Sequence, residues 1–181
     1  MAIIWPEIRR LTQYLQPFRK DQLDHGLWYA GAEIVCTSGG FDPIHGGHIR
    51  LLMESKRYGD ILVVIANGDG FLRKKKGYVF MPVEDRLAIL ANISGVDHVT
   101  VWNETDTFVN EALEILRPDV FTKGGDRNKN SMALIEVETC KKIGCEIKYG
   151  VGGEKIQSSS KLLRGRDNVL GQRTSEIHCD K

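Results

Sequence analysis

The sequence is short of several things, and each shortage narrows the possibilities. No apolar run approaches the length of a membrane span. The first residues, "MAIIWPEIRRLTQYL", lack an apolar signal core followed by a small-residue cleavage site, so the expected location is the cytoplasm. Four cysteines occur, Cys36, Cys140, Cys145 and Cys179, with no C-x-x-C pair and no familiar zinc spacing. Reduced, structural thiols are the expectation. Net charge is only +1, so no long-range field draws the chain to nucleic acid or to an anionic membrane. Repeats, low-complexity tracts and a dividing linker are also missing. The 181 residues, 41% of them hydrophobic, suit one domain with a real core.

Hydrophobic periodicity then orders the chain. "PEIRRLTQYLQPFRK" has helical spacing and leads in over residues 6–20. Short β-branched or apolar runs mark five strands: "EIVCTS", "DILVVIANG", "DHVTVW", "DVFTKGG" and "CEIKYGVG". Helical patterns separate them: "HIRLLMESKRYG", "PVEDRLAILANIS" with Pro82 at its start, "DTFVNEALEILRP", and "SMALIEVETCKKIG" with Ser131 as candidate cap and Gly144 as stop. "GFLRKKKGYVFM" reads as a basic loop. Strands alternating with helices predict an α/β fold, a Rossmann-like open parallel five-stranded sheet with helices on both faces. Residues 1–165 form the domain, and 166–181 a polar tail.

In such a sheet ligands bind where strands end and loops enter helices. Four segments there carry unusual residues. "SGGFDPIHGGHIRLL" follows the first strand. Gly39 and Gly40 allow close backbone approach, and Gly46 and Gly47 stand where a helix begins, a natural phosphate site. His45 and His48, three residues apart, can face one ligand there and donate to phosphate oxygens as charge develops. A tight glycine turn with two surface histidines is the bland alternative, and a metal pair the weaker one, since no third ligand is evident. Arg73, Lys74, Lys75 and Lys76 form a cationic loop after the second strand, able to swing over a polyphosphate; a solvated charge run is its alternative. Arg86 either reaches the same site or pairs on the surface with Glu84 or Asp85. "FTKGGDRN" places Lys123, Gly124, Asp126 and Arg127 after the fourth strand. Finally, "KIQSSSKLLR" puts three serines at a helix start, and capping explains only one of them.

Together these pieces resemble the cytidylyltransferase-like nucleotidyltransferase superfamily. "HGGH" (45–48) matches its H-x-G-H signature and "SSSKLL" (158–163) its C-terminal serine/threonine element. Within it the chain looks most like the D-glycero-β-D-manno-heptose 1-phosphate adenylyltransferases, through the leading helix, "NGDGFLRKKKG" and "KGGD". "GGFDPIH" and "FMPVEDRL" lean toward pantetheine-phosphate and nicotinate-nucleotide adenylyltransferases. The resemblance implies transfer of a nucleoside monophosphate, AMP favoured, from ATP (or CTP) to a phosphorylated small-molecule acceptor such as a sugar 1-phosphate, with release of pyrophosphate. A cytidylyltransferase acting on glycerol 3-phosphate or a similar alditol phosphate stays open, as does a nucleotide-binding module without activity. By the family pattern His45 and His48 stabilise the transition state, and Lys76, with Lys74 or Arg73, neutralises phosphates. Ser38, Gly39, Gly40, Phe41, Gly47, Lys123, Gly124, Asp126, Arg127, Ser158, Ser159 and Ser160 hold the nucleotide. Asp42 and Arg86 are placed toward the acceptor, with Asp42 alternatively orienting its loop. Mg²⁺ bridges the triphosphate with few protein ligands. A homodimer is implied, without nucleic-acid or membrane partners.

Overall fold

The computed structural model describes residues 31–102, 108–125, 132–153 and 159. The leading helix over 6–20, the tail, Ser131 and Cys179 lie outside them. In chain order the elements are β1 (Ile34–Gly39), α1 (Gly46–Ser55), a 3₁₀ turn (Lys56–Tyr58), β2 (Ile61–Asn67), α2 (Asp69–Lys76), α3 (Val83–Ala91), β3 (His98–Trp102), α4 (Asn110–Leu116), β4 (Val120–Gly124), α5 (Leu134–Ile143) and β5 (Glu146–Val151). All the strand pairs are parallel, in the order β3-β2-β1-β4-β5. The expected fold class is therefore met.

The strands are apolar on both sides because both sides are covered. Alternation along β1 and β2 sends Ile34, Cys36, Val63 and Ile65 to one core, packed by Leu113 and Leu116 of α4 and Cys140 of α5. Val35, Leu62, Val64 and Ala66 face the other, with Leu52 of α1 and Leu87 and Leu90 of α3. After β2 and β3 the chain returns across β1 to build β4, so β1 and β4 part company at their carboxyl ends. That parting is the cleft where open parallel sheets bind ligands.

One element differs from the sequence expectation. The basic segment is a helix, α2, not a loop. Phe71 and Leu72 are buried on its inner side, and Gly77, at φ 84°, ends it in the left-handed conformation. A two-residue apolar patch among four cations hides the helical period from a composition-based reading. Gly144 does stop α5, at φ 77°.

The opposite, amino edge of the sheet is closed by carboxylates. Asp60, Asp97 and Asp119 precede β2, β3 and β4, and each accepts a backbone N–H at the start of a neighbouring strand: Glu33 at 2.9 Å, Leu62 at 2.7 Å and Ile34 at 2.8 Å. A polar cluster inside the sheet anchors the far end of α1. Thr122 Oγ1 donates to Cys36 O at 3.2 Å, so the 2.7 Å bond with Ser55 Oγ has Ser55 as donor. Replacing Asp119 with Ala orphans the N–H of Ile34, which is 2% exposed. It should cost about 1–3 kcal/mol of unfolding free energy in urea titrations, and a loss under about 0.5 kcal/mol would contradict this stapling role.

Candidate active site

The loop between β1 and α1 is shaped by its glycines and its histidines together. His45 is the N-cap of α1, and its Nδ1 accepts the N–H of Gly47 at 3.1 Å. In return His48 Nδ1 accepts the N–H of His45 at 3.2 Å. This is a capping box built from two imidazoles. Their rings stack, with centroids 3.8 Å apart and planes 24° off parallel. A nitrogen that accepts carries no hydrogen, so each neutral ring holds its hydrogen on Nε2. The caps thus set both tautomers, and both rings become Nε2–H donors. A Cβ on Gly47 would lie 2.9 Å from His45 Cε1, whereas one at Gly46 meets nothing nearer than 3.9 Å. The second glycine is thus required by packing and the first is not.

A cavity of about 330 Å³ opens at the β1/β4 cleft. Ser38, Gly39, Gly40 and Phe41 from the first loop line it, with His48 from α1 and Lys123 and Gly124 from β4. Phe41 is 2% exposed and meets the His48 ring edge-on at 5.0 Å. Its φ of 50° is a left-handed conformation that few side chains adopt. Lys123 Nζ lies 3.0 Å from Glu136 Oε2, 3.3 Å from Ser38 Oγ and 4.2 Å above the Phe121 ring. Ser159 Oγ donates to Pro43 O at 2.9 Å. The serine element and the histidine loop therefore meet, 116 residues apart in the chain. Asp126, Arg127, Ser158 and Ser160 lie outside the described residues.

Asp42 and Arg86 do not extend toward a ligand. Asp42 is 2% exposed and receives Phe80 N at 3.0 Å, Met81 N at 2.6 Å and Lys76 Nζ at 2.6 Å. Burial alone would raise its pKa, but these hydrogen bonds outweigh it and hold the carboxyl below the usual carboxylate range. Arg86 is fully buried. It donates to Gly40 O and Asn67 O at 2.7 Å each, to Met81 O at 3.0 Å and to Asp69 Oδ1 at 2.7 Å. The expected acceptor contact and the expected surface pairing with Glu84 or Asp85 both give way to this internal tie. Lys76 is neither swinging nor solvated, because Asp42 holds it.

Some cavity residues were not singled out by sequence. Glu136, in the first turn of α5, lines the cavity, as does Asn67; Lys75, one of the four cations already noted, lines it too. Glu136 also accepts Val109 N at 3.4 Å. Its contacts bridge distant segments and leave no local signature. Lys75 has one, the four-residue spacing to Phe71, once α2 is known to be helical. The described thiols are buried, and desolvation pushes that of Cys36 upward, as suits a structural role. Among the described residues, no group of three or more His, Cys, Asp or Glu gathers that could hold a metal, and no helix is long and apolar enough to cross a membrane.

A family model described as cytidylyltransferase-like matches residues 36–166, from β1 through the serine element. The chain belongs to the cytidylyltransferase-like family. Among its relatives, the bifunctional protein HldE of Hahella chejuensis is 40% identical over 159 residues, 82% of this chain but 31% of that protein. The chain thus spans less than a third of that relative's length. The FAD synthase of Methanosphaerula palustris is 32% identical over 148 residues, 77% of this chain and 95% of that protein. Among solved structures, the lipopolysaccharide core biosynthesis protein of Thermoplasma volcanium superposes with a TM-score of 0.55 at 30% identity, covering 66% of this chain and 95% of that one.

Two tests follow from the buried charges. Arg86→Met leaves the Asp69 carboxylate and three carbonyls without their donor, and should cost about 3–5 kcal/mol in chemical denaturation. A cost below about 1 kcal/mol would refute the internal tie. Because the Asp42 pKa is lowered on folding, its ionised form contributes stability above the ordinary carboxylate range. That contribution is lost as pH falls through the depressed value. The stability difference between the natural protein and Asp42→Asn should be largest at neutral pH and shrink below about pH 4; a pH-independent difference would contradict it.

Proposed function

We propose that the chain is an adenylyltransferase that moves AMP from ATP to the phosphate of a small phosphorylated acceptor and releases pyrophosphate. The observation that carries this reading is the reciprocal imidazole cap at the β1/β4 cleft. It sets two Nε2–H donors at a helix N-terminus, on a loop that Ser159 also binds. Helix N-termini favour phosphate, and donors fixed by their own caps need no reorganisation when negative charge builds.

An acceptor phosphate oxygen attacks the α-phosphorus in line. The bond from that phosphorus to the bridging oxygen breaks, and its electron pair leaves with pyrophosphate. No covalent enzyme intermediate is needed, so positioning and charge neutralisation carry the rate. His48, which lines the cavity, and His45, stacked behind it, stabilise the charge on the five-coordinate phosphorus. Ser38, Gly39, Gly40, Lys123 and Gly124 form the wall against which the nucleotide rests. Mg²⁺ enters with the triphosphate. That fits a site whose described acids are engaged by protein partners, as Asp42, Asp69 and Glu136 are.

For the acceptor, a sugar 1-phosphate is favoured by the likeness to the heptose branch. The FAD synthase relative, matched over nearly its whole length, supports flavin mononucleotide as a second reading. The enzyme would work in the cytoplasm, as a homodimer.

Pyrophosphate release, screened with ATP and CTP against heptose 1-phosphate, flavin mononucleotide, glycerol 3-phosphate, phosphopantetheine and nicotinate mononucleotide, tests the reading. Tight ATP binding with silence across the panel would favour a binding module. Replacing His48 with Ala should lower kcat about 10²–10³-fold with a much smaller change in ATP affinity. A loss confined to KM would overturn the transition-state role.

A further inference from the structure

Lys123 and Glu136 form a closed ion pair on the cavity wall, with side chains 12% and 9% exposed. Lys123 Nζ meets Glu136 Oε2 at 3.0 Å, Ser38 Oγ at 3.3 Å and the Phe121 ring at 4.2 Å. An ammonium has three N–H donors, and three neighbours surround this one. Its charge is matched inside the wall. Glu136 is the one carboxylate among the described residues that line the cavity. Its other oxygen, Oε1, accepts Val109 N at 3.4 Å. An ionised carboxylate has about four lone-pair sites and no hydrogen. It can accept further O–H or N–H groups and can offer none. Its place matters as much as its chemistry. α1 packs on one face of the sheet, α4 and α5 on the other. The cavity reaches both: His48 lines it from α1, and Val109, Ala133 and Glu136 line it where α4 and α5 begin.

We propose that Glu136 is a specificity-determining residue for the acceptor. With Lys123 it makes a charge-matched, hydrogen-bond-accepting wall, which takes an uncharged body bearing O–H or N–H groups and rejects a body with a second anionic group. This rests on the nucleotidyl-transfer reading. In-line displacement sets the attacking and leaving oxygens on opposite sides of phosphorus. With the nucleotide phosphates at the start of α1, the acceptor approaches from the α4 and α5 face. A hydroxyl or N–H of its body donates to Glu136. A carboxylate in the same place would lose its water beside an anion, and the one cation there is already engaged. Selectivity of this kind comes from the repulsive element as much as from the attractive one. A sugar 1-phosphate and flavin mononucleotide both meet the requirement, whereas nicotinate mononucleotide, with its carboxylate, does not.

The experiment uses two probes that differ at one group. Glycerol 3-phosphate carries a hydroxymethyl where 3-phosphoglycerate carries a carboxylate. Each is titrated calorimetrically into the natural protein, Glu136→Gln and the double variant Glu136→Gln with Lys123→Met, all loaded with Mg²⁺ and a non-hydrolysable ATP analogue. The natural protein should favour glycerol 3-phosphate about tenfold or more. Glu136→Gln, whose ammonium is left unmatched, should reverse that preference. The double variant has no unpaired charge in the wall and should show little preference; it keeps the idea testable if the single variant fails to fold. Structural damage alone would weaken both probes equally in Glu136→Gln, and that result overturns the assignment. So does a natural protein that binds both probes alike, a double variant that keeps the full preference, or a nucleotide-loaded protein that binds neither probe at millimolar concentration. The nucleotide titration that precedes loading separates the two failures. A natural protein that binds neither ATP nor CTP sinks the functional reading itself.

Discussion

One buried guanidinium holds the working end of this molecule in register. Arg86 reaches from α3 to the carbonyls at the ends of β1 and β2, to the turn at Met81 and to the carboxylate that opens α2. Few side chains could do this. Only a planar group with five donors can satisfy three carbonyls and an acid at once, and only an always-charged one can do so in any protonation state of its surroundings. Strand ends are where backbone groups run out of ladder partners, so a cleft there is short of donors unless something supplies them. Arg86 supplies them from beneath, leaving the upper side of the loop for a ligand.

On that platform the charges are sorted in depth. Asp42–Lys76 and Arg86–Asp69 are consumed in holding the loop and α2 together. Lys123–Glu136 forms part of the cavity wall and is nearly neutral as a pair. The imidazoles are oriented, each by a backbone N–H donated to its Nδ1. The charges of the wall are thus largely engaged with one another, and the loop's donors are preset by backbone bonds.

Much of this was legible in advance, and the exceptions have physical causes. β2 and β4 declared themselves by apolar runs, and the glycine loop by its place between strand and helix. The meeting of Ser159 with that loop followed from the family pattern, since no local rule joins residues so far apart. α2 escaped because its apolar face is two residues wide, too narrow to show through four cations. Arg86 escaped for a deeper reason, and Asp42 only in part, since orienting its loop was one of the two readings it was given. A charged residue near a phosphate site reads as a ligand contact until burial and partners are known, and both are long-range properties. Glu136 offered no sequence signal at all.

The bond from Ser159 to Pro43 also has a consequence in time. The helix-capping histidines sit near the start of the fold and are complete within a few residues of one another. The serine that closes on them emerges from synthesis more than a hundred residues later. Contacts that close so long a loop form late, after local ones. A growing or truncated chain could thus own the sheet and the imidazole cap, yet lack the clamp that joins them. Joining of the serine to the loop, as distinct from folding of the sheet, would then be a separate and later event.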